Sequence, residues 1–447
     1  MTGLSRAHAL GAVSAAALLA ALTGAHAGAF GVREQSATAQ GYSFAGAASG
    51  SGGLSSAFFN PAAITLLPGF NSDLSASAIF PESRLNPLAP TSLNPADPAN
   101  RGTSPLLFPL GGSGDIGQDA LVPASYSSLQ TGERVFLGIA NSSPFGLVTK
   151  PDASYAGQVY NRSSRIYSLN ANPILGYKVT DWLSVAGGPM LQYFDVRLKR
   201  AAGLTPAAPS AILEGDDIGF GFTLGATLTP RPGTVLGVGF RSSVNHELDG
   251  NLITPAFSSA ITAKVNTPES VTLGVSQAIA PAFTVHAGFE YTNWSRLGTS
   301  AIVSDAGRVL QDLPLNYRDG FFYSVGADYA LRPGLVVRAG VAYEESPITE
   351  RVRSPRLPDN DRIWVSAGLG YRWSEKISVD LSYTHIFVDD TKVRIVPGQQ
   401  EFATTGAPLN LPLNFVADVD SQVNIVSVGL KYRFDAPAAA APVIRKY

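Results

Sequence analysis

The chain has 447 residues, of which only 15% are charged, and its formal net charge is −2. This balance excludes the basic surface that a nucleic-acid partner requires, because phosphate contacts depend on clustered lysine and arginine. Cysteine is absent, so the chain can form neither a disulfide framework nor a thiolate metal site. The 45 glycines and 22 phenylalanines beside two methionines are typical of an all-β chain rather than a helical one.

The first 27 residues have the pattern of a secretory signal peptide. Arg6 stands near the start, residues 9–22 form an apolar run, and residues 25–27 (Ala-His-Ala) supply a small-x-small cleavage site. A transmembrane anchor is the alternative, but the apolar run is shorter than the ~20 residues that a spanning helix needs. We therefore expect export, with residues 1–27 removed and Gly28 as the first residue of the mature chain.

Residues 28–70 are rich in Gly, Ala and Ser and show neither the period of a helix nor the alternation of a strand. Near the end, Asn60 can cap a helix, Pro61 suits the first helical position, and Ala62 continues the turn. The sequence predicts a compact segment closed by one short helix. Alone it could serve as a linker. Together with the strands that follow, it is predicted to be a plug, and residues 28–70 carry that name below.

From Asn71 to Phe434 the dominant pattern is alternation of apolar with polar or small residues. Between residues 363 and 373, for example, Ile, Val, Ala, Leu, Tyr and Trp occupy the odd positions. Successive side chains of a strand point to opposite faces, so such a segment has one apolar face. About fourteen segments of this kind predict a closed transmembrane β-barrel over residues 71–434, with lipid outside and a polar lumen. We expect the strands to begin near Asp73, Ala120, Arg134, Gln158, Trp182, Asp217, Thr234, Thr262, Phe283, Tyr317, Leu335, Arg362, Ile377 and Gln422.

A large secreted β-sandwich or propeller is the alternative, but no repeat of blade length occurs in the chain. Very short connectors alternate with long ones, as in barrels of the Gram-negative outer membrane. The long connectors are predicted at residues 82–119, 203–216, 251–260, 300–316 and 399–421. Outer-membrane lipid and lipopolysaccharide are thus expected partners.

The last strand ends in aromatic residues at Tyr432 and Phe434, which resembles the terminal signal read by barrel-assembly machinery during insertion. That machinery is therefore a further expected partner. Residues 435–447 form an Ala/Pro-rich tail, which we expect to be flexible and periplasmic.

The third predicted strand runs into Ser143-Pro144-Phe145-Gly146. Pro144 cannot donate to the ladder, and Gly146 permits a sharp bend. An unpaired acceptor is costly in lipid unless it borders a cavity or a plug. Residues Pro144, Phe145 and Gly146 are therefore a candidate kink in the barrel wall. The simpler interpretation is the end of a strand.

Several ordered motifs resemble the FadL family of outer-membrane transporters for long-chain fatty acids and other hydrophobic compounds. The resemblance extends along nearly the whole mature chain. The most specific matches are Tyr291-Thr292-Asn293-Trp294-Ser295, Ala342-Tyr343-Glu344-Glu345-Ser346-Pro347 and Leu357-Pro358-Asp359-Asn360-Asp361-Arg362-Ile363-Trp364.

The resemblance implies a fourteen-stranded barrel with an internal plug. It also implies capture of a hydrophobic ligand among the outer loops, an apolar lumen pocket, and sideways exit through a gap in the wall. Within it, Phe30 is the expected plug contribution to the ligand pocket, Arg200 matches a headgroup-binding arginine, and Glu344 matches an acid that holds the plug. The family's second basic position falls on Leu313, for which Arg318 could substitute. Loss of that charge leaves room for monoaromatic hydrocarbons.

An enzyme and a general porin are the remaining functional alternatives. The mature chain has only three histidines and no G-x-S-x-G elbow, so no catalytic residue is predicted. A porin would not need the plug. We expect a transporter that works by passive diffusion, without cofactor or metal.

Overall fold

The computed structural model describes residues 29–88, 92–93, 111–203, 207–396 and 413–435. The expected signal peptide, Gly28 and most of the expected tail lie outside these residues. Among the described residues, no helix has both the length and the apolar composition that a membrane crossing requires.

The described part of the plug contains several short helices rather than the single one that the sequence predicted. Ser36 caps α1, which spans Ala37–Gln40, by accepting from the amide of Ala39. Small side chains let the chain turn tightly and often, which is why one predicted helix becomes four short ones. After α1 come 3₁₀ helices at Ala47–Ser49, Gly53–Phe58 and Pro61–Leu66.

Fourteen antiparallel strands form the barrel, as the alternation predicted. They are β1 Phe70–Pro87, β2 Ala120–Gln130, β3 Val135–Ser142 with Gly146–Thr149, β4 Ser163–Lys178, β5 Leu183–Ala201, β6 Ser210–Arg231, β7 Thr234–Arg241 with Asn245–Ile253, β8 Ser258–Asn266 with Ser270–Ala280, β9 Phe283–Thr292 with Thr299–Ser304, β10 Val309–Pro314 with Gly320–Arg332, β11 Leu335–Glu345, β12 Arg362–Arg372, β13 Ile377–Val388 with Thr391–Ile395, and β14 Leu413–Arg433. A 3₁₀ turn, Trp294–Leu297, separates the two parts of β9, and Ser92–Leu93 pairs with the start of β14.

The barrel closes because β1 pairs on both edges. One edge is in register with β2, for example Leu74 opposite Ser125, and the other with β14, where Leu74 lies opposite Leu430. Pairing of the first strand with the last removes the two terminal edges of the sheet, which is the condition for a strand protein to span a bilayer.

The strands present their apolar residues to the outside. In β12, Ile363 and Val365 are 46% and 44% exposed, whereas Trp364 and Ser366 between them are buried. An exposed apolar belt is what a lipid-facing surface requires.

All five predicted long connectors contain strand residues: β1 runs on to Pro87, and β14 begins at Leu413 rather than near Gln422. Residues 251–253 and 258–260 pair across the β7–β8 hairpin, residues 299–303 pair with 309–314, and β6 begins at Ser210. Their Pro, Gly, Asn and Asp content masked the alternation. Cross-strand pairing still forms in both hairpins, because the ladder depends on the backbone and not on the alternation of side chains.

The plug packs against the lumen wall so closely that glycine is required at two wall positions. A Cβ at Gly340 of β11 would lie 2.2 Å from the carbonyl carbon of Tyr42. A Cβ at Gly239 of β7 would lie 1.8 Å from the carbonyl oxygen of Phe59. These lumen-facing glycines allow the plug backbone to approach the wall directly.

Polar contacts tie the plug to the wall as well. The Thr38 hydroxyl donates to Asp380 of β13 at 3.0 Å, and Asp380 also pairs with Lys431 of β14 at 2.9 Å. Asn60 accepts from the Ala62 amide at 3.0 Å and donates to Thr227 Oγ1 of β6 at 3.1 Å. Asn60 thus caps the last plug helix, which starts at Pro61, and anchors it to the barrel.

Candidate ligand path through the barrel

The first described residues of the plug pair with β3 at its interruption. Gly31 forms an antiparallel bridge with Phe145. The Val32 amide donates to the Pro144 carbonyl at 2.8 Å, and the Gly146 amide donates to the Phe30 carbonyl at 2.9 Å. The structure therefore places Pro144, Phe145 and Gly146 at the point where the plug reaches the wall.

The remaining backbone groups of this interruption are satisfied by side chains. The Gln35 amide group donates to the Ser143 carbonyl at 2.8 Å and accepts from the Ser143 amide at 3.0 Å. Ser168 Oγ of β4 accepts from the Phe145 amide at 2.8 Å. Unpaired backbone is very costly at membrane depth, so the plug makes this irregular wall segment possible.

The ladder between β2 and β3 is short. It runs from Gln130 opposite Phe136 to Ser125 opposite Asn141. From there to Ala120, β2 is still paired with β1, but no described residue of β3 is paired with it. An isolated bridge between Gly117 and Thr149 lies beyond. We call the interval between residues 120–124 of β2 and residues 142–148 of β3 the wall break. Residues 30–32 of the plug, which we call the plug strand, pair with Pro144, Phe145 and Gly146 at the wall break.

Phe30 is buried in an aromatic cluster at the wall break, with 3% of its surface exposed. Its ring centroid lies 4.9 Å from that of Trp294 and 5.9 Å from that of Phe145, both in edge-on geometry. Phe194 of β5 extends the cluster, 6.3 Å from Phe145. Such pairs add stability beyond the burial of their area.

Arg33 is the next anchor, and sequence reasoning did not single it out. Its Nη1 pairs with Glu290 of β9 at 2.9 Å, its Nη2 lies 3.8 Å from Glu344 of β11, and its guanidinium lies 3.8 Å from the Phe322 ring centroid. Glu344 also accepts from Trp364 Nε1 at 3.1 Å. The available signal was a charged residue in an otherwise almost uncharged segment.

The connector between β11 and β12 holds the very start of the plug. Asp359 Oδ2 accepts from the Ala29 amide at 3.1 Å and from Ser346 Oγ at 2.6 Å. Its other oxygen pairs with Arg362, whose Nε donates at 2.9 Å. Three separate elements, β3, β9 and this connector, therefore fix residues 29–33.

Glu34 is a buried acid within this region. Its side chain is fully enclosed, and neither carboxyl oxygen has a hydrogen-bond partner among the described residues. Burial raises its pKa from an ordinary 4.5 to about 7. The neutral carboxyl is therefore favoured below about pH 7 in this structure.

A cavity of about 80 Å³ lies between the plug and the wall, and we call it the plug cavity. Apolar cavities that bind benzene are about 150 Å³. The seated plug therefore leaves too little room for an aromatic molecule or an alkyl chain. Among the residues that line it are Arg33, Phe58, Phe145, Arg241, Glu290, Trp294, Phe322, Glu344 and Glu345.

A second, smaller cavity of about 20 Å³ lies at the outer ends of β5, β6 and β10, and we call it the rim cavity. Arg200 lines it and is buried, whereas its neighbours Arg197 and Lys199 lie on the other face of β5 and are partly exposed. The cavity also contains Leu313, Gln311 and Arg356. The structure thus brings together Arg200 and Leu313, which the family resemblance had paired.

Arg318 lies elsewhere. Its Nε donates to the Ser346 carbonyl at 2.9 Å, its Nη2 lies 3.5 Å from Asp361, and its side chain is about half exposed. It is not among the described residues that line the rim cavity. The geometry therefore gives no support to Arg318 as the substitute for the charge lost at Leu313.

A closed barrel with an internal plug and an interrupted wall strand is the architecture of an outer-membrane transport protein. The chain belongs to the family described as outer membrane protein transport protein (OMPP1/FadL/TodX), whose model matches residues 17–434. The transporter prediction is confirmed in preference to an enzyme, and so is the outer-membrane location.

Individual relatives agree with this family. The chain is 26% identical to outer membrane protein P1 of Haemophilus influenzae, over 94% of this chain and 98% of that one. It is 23% identical to the long-chain fatty acid transport protein of Escherichia coli K12, over 80% and 86% of the two chains.

Solved structures show the same fold. A FadL homologue from Pseudomonas aeruginosa superposes with a TM-score of 0.78 and 21% identity, covering 91% of this chain and all of that one. The toluene transporter TodX of P. putida superposes with a TM-score of 0.64 and 18% identity, covering 90% and 99%.

Proposed function

We propose that this protein imports long-chain fatty acids by passive diffusion, with sideways exit through the wall break into the outer membrane. The observation that carries the proposal is the pairing of the plug strand with β3, Gly31 opposite Phe145, across a stretch where the β2–β3 ladder is missing. A seated plug covers an opening that the wall itself does not close.

The driving force for capture is burial of the alkyl chain, at roughly 0.8 kcal/mol per methylene. The seated plug leaves only about 80 Å³ beside the aromatic cluster. Movement of the plug strand around Phe30 would open both this space and the wall break together. Consumption of the substrate inside the cell would maintain the gradient.

The carboxylate needs a cation, because an unpaired buried charge is very costly. Arg200 is buried at the outer ends of the strands, among leucine and isoleucine side chains. We propose that it receives the headgroup, and that Glu344 holds Arg33 and with it the plug until the ligand arrives.

Import of monoaromatic hydrocarbons is the second candidate, and Leu313 favours it. An uncharged residue stands where the family resemblance expects a second base, and it lines the same cavity as Arg200. A neutral substrate would not need that charge. A general porin is disfavoured because the plug fills the lumen against the wall glycines.

The test is uptake of labelled oleate, with toluene as competitor, in a Gram-negative host that lacks its own fatty-acid transporter. Wild-type protein and Arg200→Ala are compared at equal amounts of folded barrel. Oleate uptake that falls with Arg200→Ala supports the fatty-acid proposal. No oleate uptake by folded wild-type protein would overturn it and favour the hydrocarbon candidate.

A further inference from the structure

We propose that Gln35 is a positioning residue of the exit, whose side-chain amide takes the place of a β2 residue opposite Ser143 and keeps the wall break open. The inference rests on the proposed function, because it identifies what holds the exit open once the plug strand has moved. It gives two parts of the plug different tasks. The plug strand closes the exit, whereas Gln35 preserves its shape.

The Gln35 side chain is hydrogen-bonded to β3 as a neighbouring strand would be. Its Oε1 accepts from the Ser143 amide at 3.0 Å, and its Nε2 donates to the Ser143 carbonyl at 2.8 Å. A residue of an antiparallel partner strand makes the same two bonds through its own carbonyl and amide. The carboxamide of Gln35 therefore replaces one residue of the missing β2–β3 ladder.

The β2 strand cannot supply the missing donor. Its last residue paired with β3 is Ser125, which lies opposite Asn141. Continuing this register by two residues would bring Pro123 opposite Ser143, and proline has no amide hydrogen to donate to the Ser143 carbonyl. On its other edge, Pro123 is still paired with Ala76 of β1. The β2–β3 ladder thus ends where a proline would have to continue it.

Gln35 is also fixed by contacts that do not involve the plug strand. Its side chain is fully buried, and its backbone carbonyl accepts from the Tyr126 hydroxyl of β2 at 2.8 Å. The next residue, Ser36, caps α1, and Gln40 Nε2 of that helix donates to Thr384 Oγ1 of β13 at 2.8 Å. These contacts would outlast a movement of the plug strand, so Gln35 would stay beside β3.

The position matters because unpaired backbone groups are costly at membrane depth. Without the carboxamide, neither the amide nor the carbonyl of Ser143 would keep the partner that it has in the structure. We expect β3 to shift in search of other partners, which would deform the opening. Gln35 Nε2 also donates to the Val32 carbonyl at 3.2 Å, so the seated plug strand adds to the same contact.

The experiment combines hydrogen exchange at the Ser143 amide, equilibrium binding of oleate in lipid nanodiscs, and oleate uptake by the transporter-deficient host. All three are measured at equal amounts of folded protein. The variants are Gln35→Leu, Pro123→Ala and the double variant Gln35→Leu/Pro123→Ala. Gln40→Leu is the matched control, because it removes the same carboxamide from a buried plug residue that bonds to β13.

We expect Gln35→Leu to accelerate exchange of the Ser143 amide about tenfold or more, since a buried donor loses its partner. Oleate uptake should fall several-fold in this variant, whereas oleate binding should match the wild type. Gln40→Leu should change neither the exchange of the Ser143 amide nor oleate uptake. Pro123→Ala alone should behave as the wild type, because Gln35 still pairs with Ser143.

The double variant separates a positioning role from a merely structural one. Its β2 strand gains an amide hydrogen at residue 123 and can pair with Ser143 in place of Gln35. Exchange of the Ser143 amide should therefore return to the wild-type rate, while oleate uptake stays low because the ladder now closes the wall break. If Gln35→Leu alone does not fold, the double variant decides: low uptake supports the inference, and wild-type uptake overturns it.

Two further outcomes would overturn the inference while leaving the proposed function intact. One is exchange of the Ser143 amide at the wild-type rate in Gln35→Leu. The other is an equal loss of oleate uptake in Gln35→Leu and Gln40→Leu, which would show that any plug-to-wall contact has the same effect. Wild-type protein that binds no oleate would overturn the proposed function instead, and the exchange measurement, which needs no ligand, would still test the role of Gln35.

Discussion

The rim cavity and the plug cavity differ in the charges on their walls. The described lining of the rim cavity contains two guanidinium groups and no carboxylate. The plug cavity is lined by two guanidinium groups, of Arg33 and Arg241, and three carboxyl groups, of Glu290, Glu344 and Glu345. Among the described lining residues, the rim cavity therefore has the more cationic wall and the plug cavity the more acidic one.

This difference suggests that the two cavities would bind different parts of a fatty acid on the proposed ligand path. The rim cavity would select and hold the headgroup, whereas the aromatic walls of the plug cavity would receive the alkyl chain. A carboxylate that found strong cations beside the wall break would be retained there. The acidic side chains avoid this, because Arg33 is already paired with Glu290 at 2.9 Å.

The largest expected effect concerns the plug cavity. Phe30→Ala removes a ring packed against Trp294 and Phe145, and such truncations cost about 3–5 kcal/mol. We expect faster hydrogen exchange at the Val32 and Gly146 amides, which bond across the wall break. Exchange that stays at the wild-type rate would show that Phe30 does not hold the plug.

At the rim cavity, Arg200→Gln should weaken oleate binding by about 1.5–3 kcal/mol, as expected for a lost hydrogen bond to a charged group. Toluene, which has no charge, should bind as it does to the wild type. Arg308→Gln, on an exposed turn, is the control. An equal loss for both ligands would contradict the assignment of Arg200 to the headgroup.

The pH dependence of plug seating should follow Glu34. Its pKa is raised to about 7 in the seated plug, so its charged form opposes seating. Seating should therefore weaken as pH rises from about 4.5 through about 7, by about 2 kcal/mol between pH 5.5 and 7.5. Above that range it should level off.

Hydrogen exchange of the plug amides across this pH range, corrected for intrinsic rates, measures the effect. Glu34→Gln has a similar shape and no titration, so its seating should be independent of pH in this window. If the Glu34→Gln variant kept the wild-type pH dependence, that dependence would have to come from another titratable group.

The smallest expected effect comes from reducing the negative charge of the plug cavity. Glu290→Gln breaks the ion pair with Arg33 and leaves a guanidinium available to a passing carboxylate. Oleate should then dissociate a few-fold more slowly, whereas oleyl alcohol should be released at the wild-type rate. Faster dissociation of oleate from this variant would contradict the proposed role of the acidic wall.

Much of the barrel could be predicted from the sequence, because each lipid-facing strand must alternate apolar residues with polar or small ones. The odd residues from Ile363 onward face outward, and the starts expected at Ala120, Phe283 and Ile377 coincide with strand boundaries. The extended β7–β8 and β9–β10 hairpins were missed, since their Pro, Gly, Asn and Asp residues interrupt the alternation on which the strand prediction relied.

The ligand path was less accessible, because its contacts join residues far apart in the chain. Pro144 and Gly146 marked the wall kink by their backbone properties alone. No local sequence pattern predicted that the Gln35 side chain would hydrogen-bond the Ser143 backbone, or that Arg33 would form an ion pair with Glu290. Arg200 and Leu313 likewise come to line one cavity only through the pairing of strands far apart in the chain.

The exit through the wall break can be tested directly with a reversible cross-link, because the chain contains no cysteine. Gly31 and Phe145 are opposite one another in the bridge, so the double variant Gly31→Cys/Phe145→Cys can form a disulfide that locks the plug strand to β3. Asn251→Cys/Ala260→Cys, opposite one another in the β7–β8 hairpin, is the matched control. We predict that oxidation abolishes oleate uptake in the first variant only, and that reduction restores it. Undiminished uptake by the oxidised, fully cross-linked protein would contradict exit through the wall break.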